Sequence, residues 1–96
     1  MAVRSWVTLF LYLCDMKVYI VTIMSDGALV VLSAFRNRST AVQFFDEHIR
    51  LDVEDGYIIT EDYSDLDVDN LRHVELLKDD ATSPSYDFDL WALDVC

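Results

Sequence analysis

Ninety-six residues, 53% of them hydrophobic, are enough for one buried core and no more, since a chain of this size hides only about two thirds of the surface its unfolded form exposes. The 18 Asp and Glu outnumber the 7 Lys and Arg for a net charge of −11, which argues against binding nucleic acid or an anionic membrane directly and favours basic protein surfaces. So much apolar content also excludes a disordered acidic tail, leaving a folded domain with an acidic exterior.

In chain order, residues 1–15 (MAVRSWVTLFLYLCD) form an apolar extension. Its run from Trp6 to Cys14 is too short for a bilayer span of about 20 residues, and it lacks the small residues of a signal-peptide cleavage site. It is either a further element packed on the domain or an upstream extension preceding a start at Met16, and the domain proper covers residues 16–96. Cys14 and Cys96 are not a disulfide framework, and free thiols in a reducing, cytoplasmic setting are the expectation.

Lys17–Met24 (KVYIVTIM) is rich in β-branched and aromatic residues and reads as a central strand. Ser25-Asp26-Gly27 turns the chain, and Ala28–Phe35 (ALVVLSAF) resumes the strand composition, giving a hairpin. Asn37 and Ser39 are N-cap residue types ahead of a helix over residues 40–51. Ala41, Phe45 and Ile49 recur there at helical spacing, with Val42 beside them, opposite Gln43, Asp46, Glu47 and Arg50. Phe44 and Phe45 are expected to supply core and flank, and His48 to lie at the helix flank.

Beyond a charged turn at Asp52–Gly56, Tyr57–Tyr63 is expected as a third strand pairing with the hairpin. His73–Leu77 fits a fourth strand, although Leu71, Val74 and Leu77 also suit a helical turn. Asp79–Ser85, with the only proline, is a loop. In the last strand, Tyr86, Phe88, Leu90 and Ala92 alternate with Asp87, Asp89, Trp91 and Leu93, which puts the two aspartates on an outer face beside a partly exposed Trp91. The fold class is α+β: a mostly antiparallel sheet of four to five strands with one amphipathic helix across one face, ordered β-β-α-β-β-β.

The charge is polarised. Residues 1–51 carry a net +1 and residues 52–96 a net −12, and between Asp52 and Asp69 there are eight acidic residues and no basic one. Such a run is either a solvated face or a surface that imitates a phosphate backbone. Carboxylates at i and i+2 of an extended chain lie about 6.6 Å apart on one face, and both Asp65-x-Asp67-x-Asp69 and Asp87-x-Asp89 have that spacing. The partner-binding residues expected on this basis are Glu61, Asp62, Asp65, Asp67, Asp69, Asp87 and Asp89, with Tyr63 and Trp91 as aromatic anchors.

Asp65-x-Asp67-x-Asp69 also opens like a calcium-binding EF-hand loop, but the glycine position is Asn70 and the bidentate glutamate position is Leu76. A calcium-binding module is therefore a rival from another class. No catalytic constellation is apparent, and an enzyme, a cofactor or a metal site is not expected.

A chain opening at MKVYIV, a hairpin, a helix led by Ser39 and an acidic second half together resemble small phage or mobile-element accessory proteins. Among these are inhibitors of restriction and CRISPR systems, several of them nucleic-acid mimics. The likeness covers residues 16–96 in general character and implies a stoichiometric inhibitor without cofactor, acting on a nucleic-acid-binding complex. The rival within the binding class is a homodimer or scaffold domain in which the apolar N-terminus, residues 1–15, buries against a second copy.

Overall fold

The computed structural model describes residues 17–65, 67–80 and 82–94. The extension over residues 1–15 and both cysteines lie outside them. The elements are β1 (Lys17–Ser25), β2 (Ala28–Phe35), α1 (Arg38–Glu54), β3 (Ile58–Ser64), β4 (Asn70–Leu77) and β5 (Tyr86–Asp94). All strand pairs are antiparallel in one five-stranded sheet of order β2-β1-β5-β4-β3. The α+β class and the β-β-α-β-β-β order expected from the sequence are what the described residues adopt.

The first hairpin closes on two residues, Asp26 and Gly27, with φ of 50° and 84°. Positive φ at both central positions matches the twist of the flanking strands and favours an Asp-Gly pair. Asp26 also ties this turn to the loop before β5, its Oδ1 accepting from the Ser85 N–H and hydroxyl at 3.0 Å each.

At the start of α1, the Asn37 side chain accepts from Ser39 N–H at 2.9 Å, satisfying one of the first-turn donors. Ala41, Phe45 and Ile49 are buried against the sheet. They meet Val21 and Ile23 of β1, Phe88 and Leu90 of β5, and Val74 and Leu76 of β4 in one core closed by Tyr57. Phe45 meets Phe88 edge-on, ring centroids 5.9 Å apart, a favoured aromatic geometry.

The expectation that the third strand joins the first hairpin is corrected. β3 pairs with β4 alone, at the far edge of the sheet, and β1 takes β5 as its second neighbour. The length of α1 explains this. Its 17 residues span about 25 Å at 1.5 Å each, more than the ~19 Å across the four inter-strand gaps of a five-stranded sheet. The helix therefore carries the chain from one edge to the other, and β5 returns down the middle to join two hairpins. It covers one face only. Among the described residues, no helix is long and apolar enough to cross a membrane.

Candidate functional site on the open sheet face

Register determines which side chains share the face away from α1. One row crosses Glu61 of β3, Glu75 of β4, Asp87 of β5 and Met24 of β1; the next crosses Tyr63, His73, Asp89 and Thr22. Paired residues in neighbouring antiparallel strands project to the same side, so Glu61, Glu75, Asp87 and Asp89 surround the single imidazole of His73. Among the described residues no Lys or Arg pairs with Glu61, Asp87 or Asp89.

Two bulges set this arrangement. The break between Ile59 and Glu61 in β3 turns Glu61 to the open side while Ile59 still faces the helix side opposite Leu76. The break between Asn70 and Arg72 in β4 places Asn70 opposite Trp91, and Arg72 opposite Leu90 on the helix side. A bulge re-aims side chains in this way by inserting one unpaired residue.

The polar contacts form a chain. Asn70 Nδ2 donates to Asp89 Oδ1 at 3.1 Å, that oxygen lies 2.7 Å from His73 Nδ1, and His73 Nε2 lies 3.1 Å from Glu75 Oε1. Burial pulls the imidazole pKa down, but the hydrogen bonds to Asp89 and Glu75 together outweigh it and raise His73 above its ordinary value. The Glu61 carboxyl is raised by its hydrogen bond to Glu75 and by that group's charge. Asp87 is raised by burial first and by Glu75 second. At Glu61 the leading influence is the neighbouring carboxylate, whereas at Asp87 it is burial, with the like charge of Glu75 adding to it.

Trp91 lies beside this cluster, its indole N–H donating to Thr22 Oγ1 at 3.1 Å. Tyr63 is exposed at the outer strand. Further along the same face the character changes: Leu32 and Ala34 of β2 align with Thr22 and Ile20 of β1, and Leu29 and Leu32 are 53% and 62% exposed. The open face is thus acidic over β3, β4 and β5 and apolar over β1 and β2.

Of the expected site residues, Glu61, Tyr63, Asp87, Asp89 and Trp91 come together on this face. Asp62 does not. It points to the helix side, where Arg72 bridges it at 3.1 Å and Asp46 of α1 at 2.9 Å while lying 5.4 Å from the centre of the Phe45 ring.

Asp65, Asp67 and Asp69 also depart from expectation. They occupy the β3–β4 turn, not an extended run: Asp65 has φ of 54°, and its N–H donates to the Leu71 carbonyl at 2.9 Å. The even 6.6 Å phosphate-like spacing, which needs about 3.3 Å of rise per residue, therefore does not apply to them. All three are exposed at the tip of that hairpin, which is held against β5 by the Ala92 N–H donating to the Asp69 carbonyl at 2.8 Å. The EF-hand reading fails here for the same reason, because the loop joins two strands where such a loop needs two helices.

His73, Glu75 and Asn70 are the members of the site that sequence reasoning misses. The signal for the first two is the period-2 pattern of β4, which puts them on one side only once β4 is taken as a strand beside β5.

Comparison with protein-family models, with curated proteins and with solved structures finds no match. A functional assignment for this chain therefore rests on local chemistry and geometry.

Proposed function

We propose that this chain is a non-enzymatic binding protein whose acidic open face docks on a basic surface of a partner protein, of the kind that otherwise holds nucleic-acid phosphates. The supporting observation is the gathering of Glu61, Glu75, Asp87 and Asp89 around one imidazole on a sheet face that α1 leaves uncovered. Asp65, Asp67 and Asp69 extend the negative field along the adjoining hairpin tip, and Tyr63 and Trp91 flank it with the residue types that anchor interfaces. Uncompensated same-sign charge speeds encounter with a basic partner and excludes acidic competitors. Together with the resemblance to phage and mobile-element inhibitors, this favours a stoichiometric inhibitor that occupies a nucleic-acid site.

The test is affinity capture from the source organism, comparing the wild type with a variant in which Asp65, Asp67, Asp69 and Asp87 are all changed to Asn. The wild type should retain a basic protein that rising salt and added duplex DNA both release, and the variant should retain at least tenfold less. Equal capture by the variant, or capture indifferent to DNA, would overturn the reading.

The exposed Leu29 and Leu32 favour one other reading, a homodimer joined through the apolar half of the face. Sedimentation separates the two, since an apolar dimer forms without a partner and persists in high salt.

A further inference from the structure

Glu61, His73 and Glu75 offer one ligand atom each, all within 4.8 Å of one another. We infer that these three side chains hold a divalent first-row transition-metal ion of the zinc class.

The imidazole is oriented from behind. Asp89 Oδ1 lies 2.7 Å from Nδ1, which fixes the ring and, in the neutral form, keeps the proton on Nδ1 and the lone pair on Nε2. Carboxylate–histidine–metal arrangements use the same device.

Asn70 is the independent observation. It is only 8% exposed, its Nδ2 is directed at Asp89, and among the described residues its buried Oδ1 has no hydrogen-bond partner. The amide is held where it orients Asp89, and not where its own acceptor would be satisfied. A buried unsatisfied oxygen persists against its cost when the group beside it must be positioned.

Distances fit the ion. Donors lie about 2.0–2.2 Å from a tetrahedral zinc, so two donors on one ion stand roughly 3.3–3.6 Å apart. His73 Nε2 and Glu75 Oε1 stand 3.1 Å apart, so a small side-chain adjustment opens them to that separation. Glu61 is exposed on the edge strand and directly opposite Glu75, so rotation of its side chain closes the third distance. The ligand chemistry selects the metal: imidazole with carboxylates suits zinc and its neighbours, whereas calcium prefers oxygen alone. Asp87, the other cross-strand neighbour of Glu75, stands ready as a fourth ligand or as acceptor for a bound water.

The test is calorimetric titration of Zn²⁺ into the metal-free full chain, with Co²⁺ absorption identifying the ligand atoms. One ion per chain should bind at micromolar or lower dissociation constant, and the Co²⁺ complex should show nitrogen and oxygen ligation without the charge-transfer band of a thiolate. His73→Gln and Glu75→Gln should each weaken binding at least tenfold, Asp89→Asn about tenfold to a hundredfold, and His48→Gln should change nothing. Circular dichroism checks that each variant folds, and Glu61→Gln on the exposed edge strand serves if Glu75→Gln does not. A dissociation constant in the millimolar range, a thiolate spectrum, or wild-type affinity in both His73→Gln and a folded glutamate variant would overturn the assignment.

Discussion

Replacing Asp87 by Asn should make the protein more stable at neutral pH. Asp87 faces Glu75 across adjacent strands, so their carboxylates stand about 5 Å apart. Two like charges at that distance repel by ~0.8 kcal/mol in bulk water and by ~3 kcal/mol at an effective dielectric of 20. Solvent screening and the neighbouring His73 hold the net cost near the lower figure, so removing the charge should gain about 1 kcal/mol. For a domain this small that is a rise of about 4–8 °C in Tm.

The pH dependence follows from the direction of the shift. Asp87 titrates above its ordinary value of 3.8, so its charge costs stability above the folded pKa and costs nothing below the unfolded one. Thermal and urea unfolding in chelator-containing buffer should therefore show the gain at pH 7 and lose it near pH 3. No gain at pH 7, or an equal gain at both pH values, would refute the view that the open face holds unbalanced charge. A confirmed gain would mean that the chain keeps Asp87 at a cost to its own stability, as binding surfaces commonly do.

Phe45→Ala, which empties the fully buried position where α1 meets Phe88, should cost about 3–5 kcal/mol in urea unfolding. His48→Ala, at the partly exposed flank, should cost far less. Gly27→Ala meets no atom within 4 Å of the added Cβ, yet φ there is 84°, so backbone strain alone should cost about 1–2 kcal/mol in the same assay. The His73 ring should titrate by NMR with a midpoint above its ordinary 6.5. Its stabilising contribution is accordingly complete below that value and lost as pH rises through the folded pKa, a dependence that His73→Gln should remove.

Local pattern carries much of this fold. The β-branched runs about Asp26-Gly27, the Asn37 cap with its Ala41, Phe45 and Ile49 stripe, and the strict alternation of Tyr86–Asp94 each reflect sterics and burial within a single element, and all are legible in the sequence. Strand order is not, because a period of two says which face a residue takes and nothing about its neighbour. Insertion of β5 between the hairpins depends on the reach of α1. For the site, Asp87, Asp89 and Trp91 follow from alternation alone. Asp62 departs from its expected place because the bulge after Ile59 sets which residues of β3 face the helix, and Arg72 then holds it there. Asp65, Asp67 and Asp69 alternate like a strand, but the chain must reverse between β3 and β4, and Asp tolerates the left-handed backbone that reversal requires. His73 and Glu75 gain their meaning only from the register of three strands.

The most direct measurement of the docking account is the salt dependence of affinity for the captured partner, wild type against the variant with Asn at 65, 67, 69 and 87. The account predicts that wild-type affinity falls steeply with ionic strength and that the variant binds at least tenfold more weakly with a shallower slope. Identical slopes and affinities for the two proteins would contradict it.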